Sequence, residues 1–255
     1  MGKFRNTGIE VTVDAQVLES QEWGWDLGLS ASTNHSKVLD LGGAAPLSTG
    51  LNTYIVEGYP IPVVQGTLFH NPDGLGEPEV TAGHYFGPNV PTLMLTPSTS
   101  LRLPGNLFLT ARGEYQGGHY LRDSAGRWAI STGAPYPLCW DAFALIEQGG
   151  EDELTQREQM SCILSNLDNG HFIYPMDFFK LREVSLRIPM NFLPRTDNAS
   201  LTLSGTNLWR WLNDDFLNYD PESASGVTGA HSFYNGLYEN PAPPKYFSAT
   251  LRAQF

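Results

Sequence analysis

Basic residues, cysteines and long apolar runs are all scarce in this 255-residue chain. Lys and Arg total 15 against 27 Asp and Glu, a formal net charge of -12 at pH 7. Binding nucleic acid needs a basic surface to meet the phosphates, so that class of partner is set aside. No stretch reaches the roughly 20 apolar residues of a membrane helix. A membrane barrel stays open, because its signal per strand is weak. The start, Met1-Gly2-Lys3-Phe4-Arg5-Asn6, has no apolar run behind its charges and does not read as a secretory signal. If the protein works outside the cytoplasm, its N-terminal part is expected to lie elsewhere.

Catalytic apparatus is missing too. His35, His70, His84, His119, His171 and His231 are scattered, with no metal-ligand spacing linking them. A catalytic Ser needs a paired base. No nucleophile elbow is present, and Ser204-Gly205 falls on an expected strand. The expectation is a protein that is not an enzyme and carries no cofactor or metal.

What is present is alternation. At the C-terminus Phe247, Ala249, Leu251, Ala253 and Phe255 fall on one face, and Ser248, Thr250, Arg252 and Gln254 on the other. Six more segments repeat the pattern. Ile9, Val11, Val13, Ala15 and Val17 oppose Glu10, Thr12, Asp14 and Gln16. Trp23, Trp25, Leu27, Leu29 and Ala31 oppose Gly24, Asp26, Gly28, Ser30 and Ser32. A shorter segment sets Leu101 and Leu103 against Ser100 and Arg102. Leu107, Leu109, Ala111 and Tyr115 oppose Thr110, Arg112, Glu114 and Gln116. Val184, Leu186 and Ile188 oppose Glu183, Ser185 and Arg187. Leu201, Leu203, Trp209 and Trp211 oppose Thr202, Ser204, Thr206 and Arg210.

Short turns alternate with long connections. The turns at 18–22, 104–106 and 191–198 are brief, whereas 34–97, 118–177 and 213–244 are long. Outer-membrane barrels have this layout, with the short turns periplasmic, and compact soluble domains rarely carry three loops so long. Arg102, Arg112, Arg187, Arg210 and Arg252 all share the polar face. On the lipid face at mid-membrane each would cost about 2–4 kcal/mol. Lys180 and Arg182 share parity with Val184 instead. They either reach the headgroups from the outer end of their strand or sit beyond a bulge. Trp23, Trp25 and Phe255 at one end, and Tyr115, Trp209, Trp211 and Phe247 at the other, are spaced as an interfacial girdle would be. The expected fold is all-β: an antiparallel transmembrane barrel, in partial form, of about seven strands with long extracellular loops. The alternative is a secreted β-sandwich that binds carbohydrate through loop aromatics.

Several segments resemble SusC/RagA-like TonB-dependent outer-membrane receptors. Asp177 to Leu186 is similar to their "FLRLREVSLSY" segment, with Ile188-Pro189 in place of the usual "Y-x-L/F-P", and Leu201 to Trp209 to their "LSGRNLW" strand, with Thr206 where Arg is usual. Asp220-Pro221-Glu222, Asn6 to Glu10, Val56 to Ile61 and the closing strand from Pro243 to Phe255 also resemble family segments, in order. The resemblance implies that residues 1–255 are the C-terminal portion of a barrel of about 22 strands. Signal peptide, TonB box, plug and the first part of the barrel would lie outside this chain, as in a truncated or split gene product. It implies uptake of bulky nutrients, glycans or peptides, across the cell outer membrane, with partners in lipid, TonB and a SusD-like lipoprotein. Phe247, Ala249, Leu251, Ala253 and Phe255 would form the C-terminal assembly signal. Arg112, Glu114, Glu183, Arg187, Arg210 and Arg252 would face the lumen and the missing plug.

The long connections hold the remaining chemistry. Cys139 and Cys162 form an even pair in one exported loop, which suggests a disulfide. Asp141, Glu147, Glu151, Asp152, Glu153 and Glu158 share that loop; a solvated face is the expectation over a cation site. Asn71 to Glu77 has only a faint likeness to a calcium loop, broken by its glycines and Leu75. Tyr54, Tyr59, Trp140, Phe216, Tyr219, Phe233, Tyr234 and Tyr238 could stack on sugars or pack the loops together.

Overall fold

The computed structural model describes residues 2–50, 52–134, 136–190, 198–216, 220–223, 236–237 and 241–254. Seven strands form one sheet: β1 (Glu10–Glu19), β2 (Gly24–Thr33), β3 (Leu93–Leu103), β4 (Leu107–Gly117), β5 (Phe178–Pro189), β6 (Asn198–Leu212) and β7 (Tyr246–Gln254). They lie side by side in chain order, each antiparallel to the next. The seven expected strands are all present. β3 differs in length, beginning at Leu93 well before Ser100. Its first half escapes pattern reading because Pro97 breaks it. Proline has no N–H for the ladder, and the β3–β4 pairing passes from Arg112↔Ser98 straight to Tyr115↔Leu95 beside it.

Register turns the strand pattern into two surfaces. One rung runs Gln16, Asp26, Ser100, Thr110, Ser185, Ser204, Ser248 across all seven strands. Every member is polar. The neighbouring rung runs Leu18, Trp25, Leu101, Leu109, Leu186, Leu203, Ala249, and every member is apolar. Cross-strand hydroxyls tie the polar rungs, with Thr110 to Ser185 and Ser204 to Ser248 both at 2.8 Å.

The apolar surface is bare. Val11 is 50%, Leu27 39% and Leu251 63% exposed, and Leu109 is only half-buried. A sandwich would bury these residues together between two layers about 10 Å apart. These exposures do not fit that alternative.

One end of the sheet carries the tight turns. Ser20 closes the first by accepting the Trp23 N–H on Oγ at 3.0 Å. The second needs a left-handed backbone at Gly105 (φ +78°) and Asn106 (φ +57°), which the residue types permit. The turn expected at 191–198 lies almost wholly outside the described residues.

The opposite end carries folded connections rather than loose loops. Residues Lys3–Thr7 pair with His35–Asp40, carrying the first hairpin past the sheet. Next come four antiparallel strands, Leu47–Gly50, Thr53–Ile55, Val63–Phe69 and Val80–Pro88. The second connection holds helices α1 (Ser124–Ser131), α2 (Trp140–Glu147) and α3 (Gln156–Cys162). Here lies the main buried core: Leu121, Ile130, Cys139, Leu154, Phe172 and Tyr174 are nearly or fully excluded from solvent. Cys139 and Cys162 are disulfide-bonded within it. We refer to this assembly as the cap.

Candidate functional site

The polar surface of the sheet and the cap above it make the candidate site. A groove of about 740 Å³ runs over β1 to β5, with Asp14, Gln16, Asp26, Arg112 and Glu183 in its lining. Arg112 stands directly across from Glu183 in the β4–β5 register. At the turn end Arg102 bonds Glu19 and donates to the carbonyls of Gln21 and Ser20 at 3.0 and 2.9 Å. Arg187 and Arg252 line a separate polar pocket near the same end.

At the cap end the polar surface carries a clasp. Lys180 Nζ lies 2.6 Å from Asp220 Oδ1 and 2.5 Å from Glu222 Oε2. Arg182 donates from Nε to Glu114 at 3.0 Å and forks onto both oxygens of Glu222. Arg210 donates to Asp220 Oδ2 at 2.9 Å. Two acids from the third connection thereby bind three cations of β5 and β6. Burial pushes the Glu222 carboxyl up, but hydrogen bonds from Arg182 and Lys180, and their charges, hold it below the usual range.

This geometry corrects one of two readings of Lys180 and Arg182. Neither side chain reaches out from the apolar surface. The β5 register shifts between Leu181 and Glu183. Past that bulge Lys180 pairs with Glu114 and Arg210, both on the polar side, and Phe179 with Tyr115 and Trp211, on the apolar side. The extra residue changes parity, and both cations meet acids on the polar surface. In sequence Asp220 and Glu222 stand out only within the Asp-Pro-Glu tripeptide. The signal for the clasp is charge: two acids in one turn, with three cations near the outer ends of neighbouring strands.

The cap's two connections are latched together. The first residues of α3 offer free N–H groups, as any helix start does. Gln156 N donates to Gly74 O at 2.8 Å and Arg157 N to Pro72 O at 3.0 Å. Gln159 Nε2 adds Gly76 O at 2.8 Å. The Asn71–Glu77 segment is thus a docking loop. Thr155 and Glu158 form a reciprocal capping box at the same helix start. The Arg157 guanidinium stands 5.3 Å from the Phe69 ring and 5.8 Å from that of Tyr174.

The histidines do not gather. His119 and His171 are buried in the cap region, and burial lowers both, His119 to about 4 despite the pull of Asp177. Among the described residues no group of three or more His, Cys, Asp or Glu is placed to hold a metal ion. Of the loop aromatics, Phe216 is buried in the cap core, Tyr59 packs on Tyr85 at 4.5 Å and Trp140 is 59% exposed. Tyr219, Phe233, Tyr234 and Tyr238 lie outside the described residues, as does Phe255 of the terminal alternation. Phe247, Ala249 and Leu251 are exposed on the apolar surface of the edge strand β7, with Ala253 half-buried beside them.

No protein-family model and no curated protein sequence matches the chain. Solved structures do. The structure of the RagAB peptide transporter aligns over 100% of this chain and 30% of that one, with a TM-score of 0.67 and 13% identity. The RagAB peptide importer aligns in its 'open-open' state with a TM-score of 0.63 and 14% identity, over 100% and 29% of the two chains. In its 'closed-closed' state the TM-score is 0.66 and the identity 14%, over 100% and 30%. This chain therefore spans about 30% of the length of the structures it resembles. The shared fold is all-β: a run of antiparallel barrel wall with long folded connections at one end.

Proposed function

We propose that this chain is the C-terminal wall and outer cap of a SusC/RagA-like, TonB-dependent nutrient receptor of the outer membrane. One observation carries the reading: an unbroken apolar rung crosses one surface of a single seven-stranded sheet, with Leu18, Trp25 and Leu203 exposed in it, while an unbroken polar rung crosses the other. Hydrocarbon is the solvent that such an outer surface matches, and a wet or protein-filled interior matches the inner one. The likeness in fold to the RagAB structures supports the same reading.

On this account the work is gated uptake, not bond breaking. Backbone groups on the free edges of β1 and β7 have no water to satisfy them inside a bilayer, so further strands must complete the ring. Those strands, and the plug, belong to the rest of the receptor. The cap faces the medium, where a SusD-like lipoprotein would close over it, and TonB would act from the opposite side. Peptides are favoured over glycans as cargo, because the structural neighbours are described as peptide transporters.

Extraction tests the class. The expressed chain should resist solubilisation in plain buffer and gain sheet structure only in detergent or lipid. A monodisperse, folded monomer in buffer without detergent would contradict the proposal.

A further inference from the structure

The outer end of the β6–β7 pair is open. β7 begins at Tyr246, opposite Thr206, while β6 runs on to Leu212, paired only with β5 among the described strands. Asn207 takes a left-handed backbone there (φ +54°). Its Nδ2 donates to Pro244 O at 3.1 Å, which holds the incoming segment beside β6. Between the two lies a pocket of about 340 Å³, with Lys180, Trp209, Arg210, Asp220 and Lys245 in its lining.

Towards the turn end the apolar surface is hollowed. Leu186, Leu203, Leu208, Phe247 and Ala249 line a groove of about 520 Å³. Gly205 sits among them, between Val184 and Phe247 in register, and puts no side chain into the hollow. A Cβ there would stand 2.8 Å from Leu208 and 3.3 Å from Phe247. Ser204 and Ser248 border the groove too, but their hydroxyls bond each other on the polar surface. Leu208 lines both the groove and the pocket, so the two are continuous.

The pocket has positive charge to spare. Lys180 is taken up by Asp220 and Glu222. Arg210 gives Nη1 to Asp220, and 40% of its side chain stays exposed. Lys245 is exposed and joins no ion pair with a described residue. Trp209 is 57% exposed beside them, at the outer end where an indole suits a membrane–water interface.

We propose that groove and pocket together bind one anionic lipid, its acyl chain over Gly205 and its phosphorylated headgroup on Lys245 and Arg210. The inference rests on the barrel-wall reading above, in which the apolar surface meets hydrocarbon. Polarity changes along the site as it does along such a lipid: apolar groove, exposed indole, then two cations that match a phosphate. A free phosphate would leave the groove unused.

The test uses the full chain in dodecyl maltoside micelles. Tryptophan fluorescence is followed while lipids with brominated acyl chains, which quench an indole on contact, are added. Brominated phosphatidic acid should quench saturably, and W209F should lack the saturable part. Brominated phosphatidylcholine should bind about tenfold more weakly, for want of a charge-assisted hydrogen bond. K245Q should bring phosphatidic acid down to that level, and K245R should not. A249F, which fills the groove, should weaken both lipids. Inorganic phosphate at the lipid's concentration should displace neither. Equal affinity for the two lipids, or a K245Q chain that titrates like the parent, would overturn the headgroup seat. Parent-like binding by A249F, or saturable quenching that survives in W209F, would overturn the groove. Displacement by phosphate would overturn the assignment to a lipid. A chain folded and monodisperse without detergent would refute the wall and the site together. A sheet formed in micelles without saturable quenching would refute the site alone.

Discussion

Lys180 Nζ sits 2.6 Å from Asp220 Oδ1, with 4% and 3% of the two side chains exposed. This contact is one of several that join wall strands to the third long connection. Ion pairs as dry as this have little intrinsic margin; removing Asp220 leaves Lys180 with Glu222 alone and Arg210 without its acid, so the cost stays below the roughly 3–5 kcal/mol of a fully stranded buried charge. D220N should therefore release residues 220–223 from the wall. Hydrogen exchange is expected to rise around 178–182 and 220–223, while β1 and β2 keep their protection. Uniform loss across the sheet would show that the clasp is not local.

Acidification should open the same clasp. The folded-state carboxyl of Glu222 is depressed, by Lys180 and Arg182 against the opposing effect of burial. A depressed carboxyl contributes stability above its unfolded value, and that stability is lost as pH falls through the folded one. Hydrogen exchange near 180–182 should accelerate below the ordinary carboxylate range. E222Q should remove most of that dependence.

His119 places a second pH effect in the cap. Burial lowers it from 6.5 to about 4, so the unfolded chain takes up the proton first. Cap stability should be complete above pH 6.5 and decline as pH falls towards 4. A thermal melt followed through cap-specific proteolysis should show that slope in the parent and a flatter one in H119N.

Reduction should loosen the cap and spare the wall. Cys139 and Cys162 lie 23 residues apart and tie the start of α2 to the end of α3. Loss of a disulfide of this kind costs about 2–4 kcal/mol. The C139S/C162S double variant should be cleaved between 140 and 160 at lower temperature, with sheet content in detergent unchanged.

The two surfaces should respond oppositely to a new charge. Leu27 lies on the apolar surface, in a rung with Ala15 and Thr99, and Ser100 on the polar surface, in a rung with Asp26 and Thr110. L27R should destabilise the wall by about 2–4 kcal/mol in lipid. S100R should be close to neutral. Urea titration in vesicles measures both.

The legibility of this chain divides along physical lines. Wall strands show themselves because each has one apolar surface and one polar one, so period 2 survives in Val11, Val13, Leu27 and Leu29. It fails where the backbone departs from the regular ladder, at Pro97 in β3 and at the bulge beside Arg182 in β5. The cap leaves no such pattern. Its core draws single residues from many short elements, Leu121, Ile130, Leu154 and Phe172, and no period links them. One local signal was available: Thr155 followed by Glu158 marks the start of α3. The clasp is half visible, its cations plain in sequence but its acids 40 and 42 residues beyond Lys180.

Accessibility along one strand tests the central claim most directly. Spin labels placed singly from Val11 to Ala15, in the chain reconstituted into lipid vesicles, report collisions with apolar oxygen and with a polar nickel chelate. The account predicts strict alternation: oxygen at Val11, Val13 and Ala15, nickel at Thr12 and Asp14. Uniform exposure to the nickel chelate, or oxygen contact at every position, would contradict it.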